Sequence, residues 1–184
     1  MMHGTQNEPV TLQRDCDAVL IPIGEKVTLP EGTNGFITQA LGGSFTLYIE
    51  GNLFRIAGTD ADAVGLEPLK PPEVPEDPSD EDIEDVIWEQ MRTCFDPEIP
   101  INIVDLGLIY ACEIDRSDNG GRNVRIAMTL TAPGCGMGPI LMEDVREKVE
   151  IIPTVDNADV ELVFDPPWTT SMMTDEARLQ AGLL

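Results

Sequence analysis

The chain of 184 residues has a single histidine, His3, and only 11 lysines and arginines against 34 aspartates and glutamates. One histidine near the N-terminus argues against a Cys–His protease-like site, a histidine-ligated zinc site and a histidine general base. The formal net charge of −23 repels nucleic-acid phosphates and anionic lipid, so we expect neither as a partner. The acidity is more typical of solubility, or of a salty cytoplasm, than of one specific basic partner.

Long apolar runs are also missing. No stretch of about 18 apolar residues indicates a membrane span, and the first eight residues lack the apolar core of a signal peptide. We therefore predict a cytoplasmic protein that does not enter a membrane. The apolar fraction of 42% is sufficient for a packed core, in one medium-sized domain or two small ones.

The four cysteines are far apart and include no C-x-x-C pair. This spacing argues against a zinc ribbon and indicates reduced thiols in the cytoplasm. Cys16 and Cys94 are predicted to pack as small apolar side chains, and Cys112 to be buried in a strand. The fourth, Cys135, differs because it lies in a glycine-rich loop.

That loop belongs to residues 129–139, TLTAPGCGMGP, around which the functional prediction is built. A strand-like run, Val124–Leu130, precedes it, and a helical pattern begins at Pro139, since proline fits the first turn of a helix. The glycines that let this backbone adopt positive φ are Gly134, Gly136 and Gly138. Cys135 therefore lies just ahead of a helix N-terminus, where unpaired N–H groups and the helix dipole favour a thiolate.

The pattern along the chain predicts two domains and a linker. Residues 1–66 contain short strands separated by glycine-rich turns, which predicts a small β-barrel or β-sandwich. These strands are Ala18–Ile23, Lys26–Leu29, Gly35–Leu41, Phe45–Glu50 and Leu53–Ala57. Residues 67–79 hold five prolines and several acids, and they are expected to form an extended, solvated tether.

Residues 80–184 predict an α+β domain in which the order α-β-β-α-β-α packs helices on a small mixed sheet. Its first helix has Ser79 as a plausible N-cap, with Asp82 three residues on, and continues as an apolar stripe to about Asp96. The third strand is predicted at Asp159–Phe164. A short C-terminal helix is predicted from Asp175 to about Ala181, capped by Thr174.

The first two strands of this domain are expected to form a hairpin. Ile103–Ile114 reads as a strand interrupted by Asp105, and a turn at residues 115–121 returns the chain along Asn123–Leu130. Antiparallel pairing brings the start of the first strand close to the end of the second. We therefore expect Asp105 to lie near Thr129, Thr131 and the Cys135 loop, either as a ligand or, slightly favoured, as an acceptor that orients the loop.

Three separated motifs occur in order: residues 96–108, DPEIPINIVDLGL; residues 129–135, TLTAPGC; and residues 165–169, DPPWT. Together they resemble the SufT/PaaD-type family, a module associated with iron–sulfur protein maturation, and the resemblance covers about residues 79–184. Residues 35–43, GFITQALGG, are similar to the extra domain of two-domain members. Gly136-Met137-Gly138 follows the cysteine where some relatives have a proline.

The resemblance implies an accessory role in iron–sulfur cluster assembly or delivery, with Cys135 as the key residue and Asp105 and Thr131 beside it. Loop support is expected from Thr129, Gly134 and Gly136. Candidate partner contacts are Asp165, Pro166, Pro167, Trp168 and Thr169. The implied partners are cluster-assembly or carrier proteins and their apo-protein clients.

Ligand counting shapes the mechanism that we expect. A stable iron–sulfur cluster generally has four cysteine ligands, so one good thiolate per chain implies a transient cluster or iron, none permanently bound, completed by a second copy or a partner. An alternative is a metal-free adaptor that recruits cluster carriers to their targets. A cysteine enzyme is least favoured, because without a histidine only a weakly basic carboxylate is available as a general base.

Overall fold

The computed structural model describes residues 7–40, 44–96, 99–134 and 136–183. The chain divides between Lys70 and Pro71 into two compact units, each described here by itself. Within the described residues, no helix is both long and apolar enough to cross a membrane.

The first unit is built on one six-stranded antiparallel sheet with the strand order β1-β4-β5-β6-β2-β3. Its strands are β1 (Glu8–Thr11), β2 (Cys16–Ile21), β3 (Glu25–Leu29), β4 (Asn34–Gln39), β5 (Phe45–Ile49) and β6 (Asn52–Ile56). A 3₁₀ helix, Gly58–Val64, follows. The alternation in residues 45–57 correctly predicted β5 and β6 as a hairpin, whereas β1 was missed because its four residues, EPVT, carry little β-pattern.

Alternation along the strands forms the core of the first unit. In β5, Leu47 and Ile49 are buried and the intervening Tyr48 is exposed, because successive side chains of a strand point to opposite faces. Cys16 is buried in the same core, as its tendency to pack as an apolar side chain predicted. All the strands described here pair into a single sheet, so the two-sheet sandwich that the sequence allowed is not the observed arrangement.

Among its described residues, the second unit contains three α-helices and three strands, and its α+β class agrees with the prediction. In chain order these are α1 (Asp80–Met91), β7 (Ile109–Arg116), β8 (Arg122–Met128), α2 (Gly138–Glu150), β9 (Val155–Leu162) and α3 (Asp175–Gln180). β7 and β8 are antiparallel, and β8 and β9 are parallel. The parallel pair requires a crossover, which α2 supplies by packing on the sheet.

The starts of α1 and α3 follow the sequence signals closely. Ser79 and Asp82 form a reciprocal capping box at the start of α1, and the Thr174 side chain accepts a hydrogen bond from the Ala177 N–H in α3. α1 ends at Met91, earlier than the predicted end near Asp96. Cys94, beyond that end, is nevertheless buried in the core as predicted.

Two strand boundaries differ from the prediction. Residues 103–107 form a turn, and β7 begins only at Ile109, so Asp105 does not lie in a strand. The acid and Gly107 in this apolar run, read as a bend in a strand, instead belong to the turn, where Gly107 has a φ of 75°. The third strand begins at Val155, four residues before the predicted start.

The end of the proline-rich segment is held by the second unit. Val74 packs against its core and Pro78 is buried, so this part of residues 67–79 is not solvated throughout as the sequence suggested. The Pro78 carbonyl accepts a hydrogen bond of 2.6 Å from Arg122, a buried guanidinium that also binds Asp80 and Thr154. The start of the second unit is therefore fixed by a buried cation.

Candidate functional site

The first two motifs meet where β8 ends beside the start of β7. Ile109 lies opposite Met128, and the Thr129 N–H donates to the Leu108 carbonyl at 2.8 Å, which extends the ladder by one bond. The two strands are thus antiparallel neighbours, as the sequence predicted, and their pairing extends to the residue where the glycine-rich loop begins.

The loop after β8 leads directly into α2. Gly134 has a φ of 78°, a conformation that glycine adopts without strain, and both Gly134 and Gly136 are exposed. At the helix start, a Cβ on Gly138 would lie 2.9 Å from Leu130 Cδ1, so glycine permits α2 to approach the end of the strand closely. Met137, the N-cap, makes no side-chain capping hydrogen bond. Cys135, the central residue of the prediction, lies outside the described residues.

A buried carboxylate, Asp96, lies against this loop. It is only 4% exposed, and its Oδ1 accepts from the Ile99 N–H at 2.9 Å while its Oδ2 accepts from the Thr131 hydroxyl at 3.4 Å. Burying a carboxylate is costly unless it is hydrogen-bonded, so these contacts fix the segment after α1 against the start of the loop. The described carboxylate that binds Thr131 is therefore Asp96, whereas the sequence analysis selected Asp105.

Asp105 is engaged within its own turn. Its Oδ2 accepts from Asn102 Nδ2 at 2.7 Å, its N–H donates to Asn102 Oδ1 at 2.9 Å, and its carbonyl accepts from the Thr174 N–H at 2.9 Å. In the described part of the chain, none of these bonds reaches Thr129 or Thr131. Asp105 thus shapes the turn before β7, because these bonds close an Asx-type turn.

A sequence signal for Asp96 existed. An aspartate that precedes a proline can accept from a backbone N–H a few residues on and form a local side-chain turn, and the sequence Asp96-Pro97-Glu98-Ile99 fits that pattern. Asp96 and Pro97 were predicted only to end the helix. Pro97 and Glu98 lie outside the described residues.

Thr129 contributes an unusual buried hydroxyl. The residue is 1% exposed, and within the described residues its Oγ1 has no hydrogen-bond partner. A buried polar atom without a partner costs free energy. The site therefore combines a bonded carboxylate, one bonded hydroxyl and one free hydroxyl at the end of β8.

The third motif is held beside the turn before β7. Trp168 Nε1 donates to the Leu106 carbonyl at 2.7 Å, and the Tyr110 hydroxyl donates to the Pro166 carbonyl at 2.8 Å. A Cβ on Gly107 would collide with the Met172 carbonyl oxygen, so the two segments approach closely only because this residue is glycine. Asp165, Pro166, Pro167 and Thr169 are exposed, and Trp168 is half-buried.

The described cysteines are poor thiolate candidates. Cys16 and Cys94 are buried, and Cys112 is half-buried in β7 against the core. Burial raises the pKa of the Cys16 and Cys112 thiols to about 11, with nearby carboxylates adding to the effect. These two thiols therefore stay protonated at neutral pH. In the ranges that the structure describes, no group of three or more His, Cys, Asp or Glu side chains is arranged to hold a metal ion.

Comparison with known proteins places the second unit in a family. Residues 84–162 match the model of a family described as "Iron-sulfur cluster assembly protein". The chain is 45% identical over 101 residues to an "Fe-S protein maturation auxiliary factor" of Porphyromonas gingivalis, which covers 55% of this chain and 91% of that protein.

Two further relatives carry related names. The chain is 33% identical to the "Fe-S protein maturation auxiliary factor YitW" of Bacillus subtilis, over 55% of this chain and 95% of that protein. It is 41% identical to the "Fe-S protein maturation auxiliary factor SufT" of Staphylococcus aureus, over 48% of this chain and 96% of that protein. The three motifs and these near-complete matches agree, and this chain belongs to the iron–sulfur cluster assembly protein family.

Proposed function

We propose that the protein is an auxiliary, non-enzymatic factor in the maturation of iron–sulfur proteins in the cytoplasm, and that Cys135 binds iron or a cluster in transit through its thiolate. The observation that carries the proposal is the family relationship. Three relatives at 33% to 45% identity are named for this role, and the alignments span 91% to 96% of their length. This chain therefore contains a counterpart of nearly the whole length of each of those proteins.

The distribution of the cysteines supports Cys135 as the ligand. Soft thiolate sulfur is the usual ligand of iron in clusters, and the thiolate form is required. Cys16 and Cys94 are sealed in the cores, and the raised pKa of Cys112 keeps it protonated. Of the four cysteines, the one left for metal chemistry is the one between two exposed glycines.

The surroundings of the loop supply the second line of support. Asp96 and Thr131 anchor the chain four residues before Cys135, and α2 begins three residues after it. The first N–H groups of a helix and its dipole favour negative charge, and the Met137 side chain does not cap them. Such an environment favours a thiolate in this segment over a neutral thiol.

Ligand number determines how the cargo is held. One thiolate per chain is insufficient for a cluster that generally binds four cysteines. We therefore propose that a second copy of the chain, a carrier protein or a small thiol completes the coordination, which makes binding transient and transfer to a client possible. A homodimer is the simplest case, because a two-fold axis brings two Cys135 thiolates together, and a carrier protein or small thiols supply the remaining two ligands.

Exposed residues of the third motif are proposed as the contact with carrier or client proteins. Asp165, Pro166, Pro167 and Thr169 are exposed, while Trp168 ties their loop to the turn at Leu106. A rigidly held, exposed loop loses little conformational entropy on binding.

The test is anaerobic reconstitution of the full chain with ferrous iron and sulfide, followed by iron and sulfide analysis and visible absorption. We expect wild type to retain iron and charge-transfer absorption and Cys135→Ser to lose both. Cys112→Ser is the matched control and should behave as wild type, because that thiol is half-buried and protonated. Equal iron retention by wild type and Cys135→Ser would refute the ligand role.

The competing metal-free adaptor makes the opposite prediction. If the protein only recruits cluster carriers, Cys135→Ser should bind purified carrier protein as wild type does and should support full activation of an apo-protein client. Full activation by Cys135→Ser would therefore favour the adaptor. Unchanged carrier binding together with lost activation would favour the thiolate mechanism.

A further inference from the structure

The first unit exposes a row of large apolar side chains on one face of its sheet. Phe36 in β4 lies opposite Tyr48 in β5, and Tyr48 lies opposite Leu53 in β6. Directly opposite residues of antiparallel strands project to the same face. These side chains are 46%, 44% and 37% exposed. Single exposed apolar residues are ordinary, but three adjacent ones on neighbouring strands form a patch of the kind that marks interaction surfaces.

A cavity lies at one end of this row. It has a volume of about 250 Å³ and is formed by β1, β4 and the end of β5. Phe36 and Tyr48 contribute the aromatic part, Pro9 continues the apolar surface onto β1, and Glu50 adds a carboxylate. Gly35 also lines the cavity, and a Cβ there would lie 2.8 Å from the Tyr48 carbonyl oxygen, so the two strands are closely apposed at this position.

The charge of the cavity is one-sided. Its lining, all within the described residues, includes the carboxylate of Glu50 and no lysine or arginine. None of the four lysines and arginines of the first unit lines this cavity. Arg14 forms ion pairs with Asp60 and Asp62, and Lys70 with Glu67. Arg55 is buried, and Lys26 is on β3, at the edge of the sheet opposite β1. Among the described residues, no lysine or arginine therefore lines the cavity beside Glu50.

We propose that this face is a docking site for a basic segment of a partner protein, in which an arginine or lysine lies over Phe36 and Tyr48 and its charge meets Glu50. Aromatic faces attract cations, and the aliphatic part of a long basic side chain packs on apolar surface while its head stays hydrated. A neutral apolar ligand would leave the carboxylate without a counter-charge. An acidic one would be repelled by it and by the net charge of −23.

This inference is independent of the proposed metal chemistry. The family match covers residues 84–162, so the relatives' names bear on the second unit and not on this face. Loss of binding at Phe36 and loss of iron at Cys135 are separate results, and either can occur without the other.

The probe is an array of capped heptapeptides that combine arginine, lysine, citrulline or glutamate with leucine, proline or serine, incubated with the labelled full chain. We expect signal from peptides that place arginine or lysine beside an apolar residue, and little from the citrulline and glutamate versions. For the best peptide, measured by fluorescence anisotropy, Phe36→Ser and Tyr48→Ser should each weaken binding about tenfold, and Glu50→Gln about threefold.

Ile23→Ser is the matched control, because Ile23 is 73% exposed and lies in the β2–β3 turn, at the edge of the sheet opposite the cavity between β1 and β4. It should bind as wild type, and circular dichroism should show all four variants folded. Equal binding of arginine and citrulline peptides would overturn the proposal, as would peptide binding that neither Phe36→Ser nor Tyr48→Ser weakens. A wild-type dimer that Phe36→Ser converts to monomers would identify a second copy as the occupant and would equally overturn it.

Discussion

The two units differ in where they place polar and apolar groups. Among the described residues, the second unit buries five polar or charged side chains: Asp96, Arg122, Thr129, Asp144 and Lys148. In the described part of the first unit, Arg55 is the one buried polar or charged side chain. The first unit keeps its ion pairs outside, as in Arg14 with Asp60 and Asp62, and exposes an aromatic row instead.

Burying polar groups is costly, so their concentration indicates what the second unit has to hold in place. Arg122 fixes the segment before α1, and Asp96 fixes the glycine-rich loop. Lys148 in α2 donates to the Thr93 carbonyl, which joins the helix after the loop to the end of α1. Of these interior bonds, those of Asp96 lie at the proposed site, whereas Arg122 and Lys148 join other segments of the second unit. The first unit presents its distinctive chemistry on the surface.

The largest expected effect tests the buried cation. Arg122→Met removes bonds to Asp80, Pro78 and Thr154, and leaves the Pro78 carbonyl without its partner. We expect the free energy of unfolding of the second unit to fall by about 3 kcal/mol, measured by urea denaturation. Arg125 gives the control, because it is exposed and pairs with Glu113 and Asp115. Arg125→Met should change the free energy of unfolding by at most about 0.5 kcal/mol. If Arg122→Met and Arg125→Met lowered the free energy of unfolding by similar amounts, the buried bonds of the second unit would contribute no more to stability than its surface ion pairs.

A smaller effect separates the two carboxylates. Asp96→Asn keeps an acceptor for the Ile99 N–H but weakens a buried, charge-assisted network, so stability should fall by about 1–2 kcal/mol and iron retention should drop with it. Asp105→Asn is the matched change in a half-buried turn and should cost less on both measures. A larger loss of iron in Asp105→Asn would restore Asp105 as the carboxylate beside the loop.

Local sequence signals predicted some elements of the second unit correctly and others not. Sequence signals were sufficient for the start of α1, for the β7–β8 hairpin and, within one residue, for the start of α2, predicted at Pro139 and observed at Gly138. Each is determined by local chemistry: a capping box, a glycine turn and a proline in the first helical turn. The predicted beginning of β7 was wrong. Ile103, Leu106 and Leu108 are buried in and just after a turn, and an apolar run alone does not distinguish a buried turn from a strand.

The choice between Asp96 and Asp105 required tertiary information. Both are acids close to one end of the hairpin, and only the path of the chain after α1 brings Asp96 to Thr131. The row of Phe36, Tyr48 and Leu53 likewise depends on how β4, β5 and β6 are aligned with one another. No local sequence pattern determines that register.

Thr129 offers a prediction with the opposite sign. Its buried hydroxyl has no partner among the described residues, so Thr129→Val removes an unsatisfied group while nearly preserving the shape. We expect the second unit to become more stable by about 1 kcal/mol in urea denaturation. If the hydroxyl contributes to cargo binding, iron retention should fall while stability rises. Thr131→Val is the contrast and should lose stability, because the Thr131 hydroxyl donates to Asp96.

The smallest effect concerns a property that the two units share. Burial raises the pKa of Cys16 in the first unit and of Cys112 in the second to about 11, from an ordinary value near 9. Between these pH values the unfolded chain loses the thiol proton before the folded chain does, so the stabilising contribution is complete below pH ~9 and decreases as pH rises towards ~11. Urea denaturation at several alkaline pH values should show the free energy of unfolding of both units decreasing as pH rises. Cys16→Ala should make this decrease smaller in the first unit, and Cys112→Ala should make it smaller in the second. If the variant leaves the pH dependence of the free energy of unfolding of its unit unchanged, the thiol in that unit does not have the raised pKa that burial implies. Cys135 would then no longer be distinguished from it as the available thiolate.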